Sequence, residues 1–527
     1  MEKCSTYKIR AVVSSLLLDG NGIYNNCNSI LSLFDIDIGN QNQSENEESI
    51  NKVLDKIVDG NGNINIDSLC QTVASDEEQM KCYALLNMCF YAYMYNPSLF
   101  ALSVTTALRI MLNSNALTPE ISGVAVFYCT VGIGKGDWSK IKLVNVLISE
   151  CTTKRFHDHV AENVRALYFH ALLVNHFYVK RHKNGRNHKR IAYMGVESGE
   201  AFYGCASMLG FIADLFYVSD LNAHVQHLKE AFNFITKFKT TVLRTYVDSL
   251  EIAINTLQGK TLLKNAVLEI KSMDQKNNPS LSSFFSCVIE WIGFTLNLVD
   301  ISSTPEQILQ SILDCESEIN FSLQNHVMSK IFTFISAIKL IQAYRSAVDD
   351  VKIRLSTAIT RFEGKISQWA KLNADYKNWK YLVKAETAAY IDKNIIQASA
   401  MYNKAIKYAN EGDFTHEVAL AHELFAKYQY SCNNPDDADR SMTQSYLAYK
   451  KWGAYAKIAM MASENEHIRK LEEDIQNKDL NTLGTDTINQ KVKDIKIDES
   501  IAKAIFGKAD ADCTAVLSVV LQNVRAE

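Results

Sequence analysis

Hydrophobic positions recur at helical spacing along most of the chain, and the pattern is clearest between residues 394 and 458. In the segment EVALAHELFAKYQY, four residues fall at i, i+3, i+4 and i+7, which places them on one buried face of a helix: Ala421, Leu424, Phe425 and Tyr428. A preceding stripe has the same kind of spacing and consists of Ala398, Tyr402, Ala405 and Ala409. A break at Gly412 separates the two stripes. The segment therefore predicts amphipathic helices joined by short turns.

The same segment carries a weak internal repeat. A shift of 40 residues (438 − 398) superimposes four pairs of helical positions: Ala398 on Ala438, Tyr402 on Met442, Ala405 on Ser445 and Ala409 on Tyr449. Repeats of about 34 residues are typical of tetratricopeptide hairpins, and repeats of about 40 or more are typical of longer helical pairs. Pro435 opens the second copy, with Asp436 and Asp437 in the first turn of its helix, where both residue types are favoured. We therefore predict tetratricopeptide-like hairpins at 394–459.

Few helix-breaking residues interrupt the rest of the chain. Only 5 Pro and 21 Gly occur in 527 residues, which is too few for long loops or many strand turns. Helices are predicted to end at Asn96–Pro97, in GKGDW at 134–138 and in NNPS at 277–280. The predicted fold class is all-α, an α-solenoid of degenerate tetratricopeptide-like helical hairpins.

Shifts in composition divide the chain into four predicted parts. The segment NQNQSENEES is too uniformly polar to be packed, and the chain turns charged after residue 470. The parts are 1–69 with N-terminal helices and a polar linker at about 40–49, 70–275 with the first half of the helical repeats, 276–470 with the second half, and 471–527 with a charged, partly disordered tail.

Composition also narrows the possible function classes. A formal net charge of −4 predicts no general affinity for nucleic acid, because nonspecific binding needs a basic surface. The 12 cysteines are scattered without any CxxC motif, which predicts buried, reduced thiols. The apolar runs at 11–18 and 284–299 predict an ordinary first helix and a buried helix, since the first lacks a cleavage site and the second is short and contains Glu290. We expect a cytoplasmic protein without a membrane span.

Two loop motifs resemble ligand-binding sites but lack essential residues. The segment 59–70 matches positions one, three and five of a calcium loop, but Ile64 stands where Gly is needed and Cys70 where Glu is needed. The glycines of 134–138 follow a helix and lack the GxxxxGK[ST] spacing of a phosphate loop. We predict a solvated turn at the first segment and a helix-hairpin turn at the second.

The basic and histidine-rich segments also favour structural roles. VKRHKNGRNHKR at 179–190 centres on a loop composition and has no interleaved aromatic residues for stacking bases. It predicts a solvated connector, with a docking site for an acidic partner or a lipid headgroup as the alternative. His157 and His159 point apart on a helix, and His224 and His227 lack a third metal ligand. We predict no catalytic residues, no cofactor and no metal.

Several ordered motifs resemble one known family. They are GDW at 136–138, ESGEAFYGCA at 197–206, LQGK at 257–260, QWAKLNADYKNWKYLVKAETA at 368–388, MYNKAIKYANEGDFTHEVALAHELFAKY at 401–428 and YLAYKKWGAYAKI at 446–458. The chain resembles the long helical, tetratricopeptide-like region of large signalling proteins. In those proteins an AAA-type ATPase module, often behind a protein-kinase domain, is followed by helical repeats, a GAF domain and a histidine kinase. Related helical regions accompany some soluble nucleotide cyclases.

The resemblance covers roughly residues 70 to 460 and is strongest in its final third. Two departures are that Glu200 replaces the usual Asp, and that the usual Pro after Trp369 is missing. The residues that carry the family signature are Trp369, Ala385, Glu386, Tyr402, Ala405, His416, Glu417, Ala419, Ala421, Glu423, Leu424, Trp452, Gly453, Ala454 and Lys457. We interpret the small residues among them as close-packing positions.

The resemblance implies a regulatory role. The family's ATP-binding, histidine-phosphorylation and cyclase motifs have no counterpart here, so those activities do not carry over. We expect a non-catalytic helical-repeat scaffold or interaction module in intracellular signal transduction, with other proteins, such as ATPase or kinase signalling domains, as partners. The alternative is a regulatory arm or fragment of a larger or split ATPase, protein-kinase or nucleotide-cyclase enzyme whose catalytic domains are absent from this chain. A ligand-sensing helical domain is a third hypothesis.

Overall fold

The predicted all-α class is confirmed. A computed structural model describes residues 2–16, 19–59, 64–69, 72–114, 116–215, 220–273, 279–297, 303–323 and 325–482. Within these ranges the chain forms 23 α-helices and no β-strand, apart from one isolated bridge between Val58 and Ile64.

The helices fall into a nearly unbroken series. The first ten are α1 (Glu2–Leu16), α2 (Gly20–Ser32), α3 (Gln43–Ile57), α4 (Asp76–Tyr95), α5 (Pro97–Leu112), α6 (Glu120–Lys135), α7 (Trp138–Glu150), α8 (Val160–Leu173), α9 (Arg181–Glu197) and α10 (Ala201–Leu215). The next six are α11 (Leu221–Lys237), α12 (Thr241–Leu257), α13 (Leu263–Ser272), α14 (Pro279–Asn297), α15 (Pro305–Ser322) and α16 (Val327–Tyr344). The last seven are α17 (Asp349–Leu372), α18 (Lys377–Tyr390), α19 (Ile395–Glu411), α20 (Thr415–Ser431), α21 (Pro435–Trp452), α22 (Tyr455–Glu464) and α23 (Glu466–Thr482).

The first compact unit is built around α6. This unit consists of the residues up to Ala213, Asn233–Leu243 and Ser317–Ser329. Every residue of α6 from Ile121 to Ile133 is buried, so the helix is covered on all sides, and it packs against α4, α5, α7 and α8. The ring of Phe127 in α6 lies 5.7 Å from that of Tyr93 in α4 and 5.0 Å from that of Phe169 in α8. The core of this unit is therefore aromatic.

The second compact unit contains the segment with the clearest helical pattern. Among the described residues, this unit consists of those within Asp214–Phe232, within Arg244–Glu316 and from Lys330 to Thr482. From α17 to α23 each helix packs against the next one in the chain, because short connections join antiparallel neighbours. Helix α20 contacts α18, α19 and α21 and is buried on most of its surface. It forms the centre of this region.

The helices reproduce the 40-residue offset of the sequence. Helix α19 begins at Ile395 and α21 at Pro435, while α20 begins at Thr415 and α22 at Tyr455. Both differences, 435 − 395 and 455 − 415, equal 40. All of the superimposed positions are buried: Ala398, Tyr402, Ala405, Ala409, Ala438, Met442, Ser445 and Tyr449. The weak sequence repeat therefore corresponds to two successive pairs of helices.

The turns of these pairs repeat with the same offset. A left-handed residue precedes α19 and α21 at Lys393 (φ 53°) and Asn433 (φ 56°). Another lies before α20 and α22, at Asp413 (φ 57°) and Gly453 (φ 89°). Only glycine adopts this conformation without a steric cost. Backbone geometry is thus repeated even where the residue type is not.

The predicted polar linker at 40–49 is wrong, because α3 begins inside it at Gln43. The side-chain oxygen of Asn42 accepts hydrogen bonds from the backbone N–H groups of Ser44 and Glu45 and caps the helix. Asn46 is buried and donates to Thr106 Oγ1 at 2.9 Å. A capped helix with one buried face tolerates a uniformly polar first turn.

The predicted solvated connector at 179–190 is also wrong, because α9 begins at Arg181. Its buried face starts with polar residues: Arg181, which is 1% exposed, is followed by Asn184 and His188. Asn184 Nδ2 donates to Ala171 O at 3.0 Å, and His188 Nδ1 lies 3.0 Å from Ser207 Oγ. The positions have helical spacing, but their polarity conceals the stripe from a search for hydrophobic periodicity.

The glycine-rich segment at 134–138 is a helix-hairpin turn, as predicted. Gly136 ends α6 with φ 73°, a left-handed conformation that favours glycine. The carboxylate of Asp137 then accepts from the backbone N–H of Lys140 at 3.3 Å and caps α7. Turn chemistry therefore places this helix boundary correctly.

Several predictions lie wholly or partly outside the described residues. These are the calcium-like loop at 60–63 and 70, the NNPS break at 277–278 and the tail from 483. The tail predicted from residue 471 begins within α23, which ends at Thr482, so its first part is helical. The predicted boundaries at 69/70, 275/276 and 470/471 stay predictions.

One described helix, α16, is long and apolar enough to cross a membrane. However, 83% of this 18-residue helix is buried inside the fold. Buried core helices of soluble proteins are commonly as long and as apolar. The apolar run at 284–299 lies largely in α14, where Phe284 and Trp291 are buried. Neither helix establishes a membrane span.

Substituting Ala421 with Trp tests the packing of α20. Ala421 is 1% exposed, so the larger ring is expected to overpack the helix interface and to lower the free energy of unfolding by about 1 to 3 kcal/mol or more. Urea unfolding followed by circular dichroism measures the change. The control is Ile396→Trp, at a position that is 85% exposed on α19. Equal stabilities of Ala421→Trp and the wild type would refute close packing here.

Candidate functional site

The residues on which the resemblance rests are all buried, and all belong to the second unit. They lie on α17 to α22 or in the turn between α21 and α22: Trp369, Ala385, Glu386, Tyr402, Ala405, His416, Glu417, Ala419, Ala421, Glu423, Leu424, Trp452, Gly453, Ala454 and Lys457. The small residues let neighbouring helices approach closely. Ser445 Oγ of α21, for example, donates to Ala419 O of α20 at 2.8 Å. The signature therefore marks packing positions and, among them, three buried carboxylates.

The three carboxylates, Glu386, Glu417 and Glu423, define the candidate site. Each is at most 3% exposed. A buried carboxylate is costly unless hydrogen bonds or a cation compensate for its lost hydration. Each of the three solves this problem with partners from other helices, and the three sets of partners differ.

Glu386 is held by neutral donors. The hydroxyl of Tyr402 in α19 and the amide of Gln342 in α16 both donate to its carboxyl oxygens. Burial raises the pKa of Glu386 to about 7, although these two hydrogen bonds and the charge of Arg345 act in the opposite direction. This group links α16, α18 and α19 and titrates close to neutral pH.

Glu417 is held by donors from α18. Trp379 Nε1 donates to Glu417 Oε1 at 2.6 Å, and Asn378 Nδ2 donates to Oε2. The neighbouring His416 Nε2 lies 3.7 Å from Oε1. Phe334 of α16 stacks on the ring of Trp379 with a centroid distance of 4.8 Å. The carboxylate therefore fixes a buried tryptophan between α16 and α20.

Glu423 is the centre of a buried ion pair. Lys457 Nζ of α22 lies 3.0 Å from Oε1, and Lys427 Nζ lies 2.8 Å from the same oxygen. Tyr449 Oη of α21 donates to Oε2 at 3.0 Å. Lys457 Nζ also donates to Leu296 O of α14 at 3.2 Å. The cluster joins helices that are up to 161 residues apart in the chain.

The charges of this cluster support each other. Burial acts to raise the pKa of Glu423, but Lys457 and Lys427 outweigh it and lower that pKa to about 2. Burial lowers the pKa of Lys457, and Glu423 opposes this shift. Glu423 is therefore ionised at neutral pH and stabilises the ammonium form of Lys457.

A small cavity lies next to Glu417. Its walls come from α14, α16, α20 and α21 and consist of Trp291, Phe294, Thr295, Ile331, Phe334, Ile335, His416, Glu417, Leu420 and Tyr449. Its volume is about 20 Å³. That is room for a water molecule or two. The cavity is mostly apolar, with Glu417, His416 and Thr295 as its polar edge.

The sequence marks the three carboxylates only as residues that carry the resemblance, and it does not show that Gln342, Trp379 and Tyr449 are their partners. The available signal was Glu417 on the same helical face as Ala421 and Leu424, since a Glu within an apolar stripe requires a donor. The donors lie on other helices, and no spacing rule connects them to the carboxylates. The partner identities therefore needed the three-dimensional structure.

The histidines predicted to be unsuitable for a metal lie on other elements: His224 and His227 belong to α11, and His157 and His159 precede α8. His224 is buried, and its ring centroid lies 6.1 Å from that of His227. His157 is exposed and lies 3.0 Å from Asp158. Across the described ranges, no group of three or more His, Cys, Asp or Glu side chains is placed to hold a metal ion.

Comparison with known proteins assigns no family. No model of a protein family matches the chain, and no curated protein matches it. Fold and site together define an all-helical protein whose buried carboxylates connect its helices.

Proposed function

We propose that the chain is a non-catalytic, tetratricopeptide-like α-solenoid that acts as an interaction scaffold or regulatory module in cytoplasmic signal transduction. The observation that carries the proposal is the packing of α17 to α23 in chain order, with the 40-residue offset between successive helix pairs. Stacked helical pairs contact mainly their neighbours and leave extended surfaces for peptides, helices or other domains.

The chemistry of the buried carboxylates supports this proposal. Glu386, Glu417 and Glu423 are each shielded from solvent and engaged with side chains of neighbouring helices. Polar networks of this kind orient helices relative to one another. The residues that resemble the helical region of ATPase and histidine-kinase signalling proteins are thus used for packing. We propose chains with ATPase or kinase domains as partners.

Purification of the native protein tests the proposal. We expect the chain to co-purify with a protein that carries an ATPase or kinase domain, and the isolated chain to show no ATP hydrolysis or self-phosphorylation. A mock purification from cells that lack the chain controls for contaminating ATPases. Activity that follows the chain through successive columns and is absent from the mock sample would refute a non-catalytic role.

A further inference from the structure

A pair of stacked tyrosines lies on the surface of the hairpin formed by α18 and α19. The rings of Tyr381 in α18 and Tyr408 in α19 are nearly parallel, with an interplanar angle of 9° and a centroid distance of 5.3 Å. The two helices pack side by side. This arrangement fixes the positions of both rings at a partly exposed face of the second unit.

Three lysines gather over this tyrosine pair. Lys380 Nζ and Lys404 Nζ each lie 5.5 Å from the centroid of Tyr381. Lys377 Nζ lies 5.2 Å from the centroid of Tyr408. An ammonium group is attracted to the face of an aromatic ring, so the tyrosines hold three like charges close together. We call Lys377, Lys380, Lys404, Tyr381 and Tyr408 the lysine–tyrosine patch.

The three lysines of the lysine–tyrosine patch form no ion pair within the described part of the chain. Among the described residues, no carboxylate lies within ion-pair distance of its three lysines. The flanking lysines differ, because Lys384 lies 3.7 Å from Glu363 and Lys407 lies 3.7 Å from Glu411. Three neighbouring ammonium groups create a positive local potential. An anionic partner is attracted to it and would relieve the repulsion between the lysines. It does so on a chain whose formal net charge is −4.

We propose that the lysine–tyrosine patch is the docking surface for an acidic peptide segment of a partner protein. This inference rests on the proposed function, because it names the surface that an interaction module would use. Lysine ammonium groups are flexible point charges that pair with carboxylates without a fixed orientation. Complementary charge accelerates encounter and excludes partners of the wrong sign.

Two other anionic partners fit the lysine–tyrosine patch less well. Single-stranded nucleic acid stacks its bases on free aromatic faces, but these tyrosines stack on each other and lie beneath lysine ammonium groups. A stable membrane contact needs roughly four to eight basic residues or an apolar helix face. The patch has three such lysines. An acidic peptide requires neither feature.

Fluorescence anisotropy with the full chain tests the proposal. The probe is a fluorescein-labelled peptide of alternating Glu and Ser residues, titrated at low and at physiological salt. The variant Lys377→Glu/Lys380→Glu/Lys404→Glu is expected to lose about tenfold or more in affinity. The matched control is Lys260→Glu/Lys264→Glu/Lys271→Glu, which produces the same change in net charge at and beside α13. It is expected to bind like the wild type.

Other outcomes would overturn the proposal. Equal weakening in both variants would show an effect of net charge alone, and no binding to the wild type would remove the site. Tighter patch-dependent binding of labelled oligo-dT or of phosphatidylserine vesicles would assign the surface to nucleic acid or lipid. Native co-purification distinguishes failure of the docking surface from failure of the proposed function. If the patch variant still recovers the signalling partner, this docking surface is refuted, but the proposed function stands.

Discussion

Replacing Glu423 with Gln is expected to lower the free energy of unfolding by about 3 to 5 kcal/mol, as for other broken buried ion pairs. The substitution keeps the side-chain volume but removes the charge that faces Lys457 Nζ at 3.0 Å. Lys457 then remains buried beside neutral acceptors, the new amide oxygen and Leu296 O. Urea unfolding followed by circular dichroism and tryptophan fluorescence measures the loss.

The pH dependence of this variant identifies the cause. Burial already lowers the pKa of Lys457 below the ordinary value of 10.5, and loss of Glu423 lowers that pKa further. The native state then binds fewer protons than the unfolded state, so its stability rises with pH. We therefore expect the deficit of Glu423→Gln relative to the wild type to shrink from neutral toward alkaline pH. A constant deficit would point to altered packing instead.

Two further variants control this result. The double variant Glu423→Gln/Lys457→Met removes both charges and is expected to be more stable than Glu423→Gln alone. The exposed pair of Lys407 and Glu411, at 3.7 Å on α19, supplies the comparison, and Glu411→Gln should change stability by less than about 1 kcal/mol. A double variant no more stable than Glu423→Gln would refute coupling between the two buried charges.

Helix boundaries that depend on local turn chemistry could be predicted from the sequence. Pro97 starts α5 directly after Asn96, and Gly136 ends α6 in the left-handed conformation. Proline and glycine act through their own backbone, so a reader of the sequence needs no knowledge of distant residues. The 40-residue offset of α19 and α21 is also visible in the sequence, because both copies keep an alanine at the first buried position, Ala398 and Ala438.

Helices whose buried faces are polar could not be predicted. Asn46 of α3 is satisfied by Thr106, and Asn184 of α9 by the carbonyl oxygen of Ala171. The segments look like linkers because their partners belong to other elements of the fold. Tertiary hydrogen bonds therefore override local composition at these two sites.

The charged surfaces show the same limit. The basic run at 179–190 is the most conspicuous charged segment of the sequence. Two of its residues, Arg181 and His188, are nevertheless buried in α9 and do not contribute to the surface. The lysine–tyrosine patch is assembled from positions on two helices, and its lysines Lys380 and Lys404 are 24 residues apart (404 − 380). A cluster formed by helix packing leaves no run in the sequence. Only the antiparallel contact of α18 and α19 brings these charges together.

Replacing Glu386 with Gln is expected to remove a loss of stability that the wild type undergoes as pH rises toward neutrality. Burial raises the pKa of Glu386 from 4.5 to about 7 in the folded state. A raised acid pKa means that the native state binds more protons than the unfolded state, so stability falls as pH rises between the two values. A shift of this size corresponds to roughly 3 kcal/mol.

The amide introduced by Glu386→Gln would be uncharged at every pH, like the protonated acid. Its oxygen can still accept a hydrogen bond from the hydroxyl group of Tyr402. We therefore expect this variant to approach or exceed the wild type in stability above about pH 7, where the wild type must bury a carboxylate. Below about pH 5, both proteins hold a neutral group at this position and should differ little. Urea unfolding at a series of pH values measures both profiles.

The difference between the two profiles isolates Glu386 from other buried acids. Burial also raises the pKa of Glu120 and Glu472, so the wild type alone would show a sum of several titrations, whereas those groups cancel in the comparison. Glu411→Gln, at the exposed end of α19, should give a profile parallel to that of the wild type. Tyr402→Phe removes a hydrogen bond that favours the carboxylate, so it should raise the pKa of Glu386 in the folded state and extend the fall in stability to higher pH. Parallel profiles for Glu386→Gln and the wild type would show that Glu386 keeps an ordinary pKa. Tyr402 and Gln342 would then hold an ionised carboxylate at neutral pH.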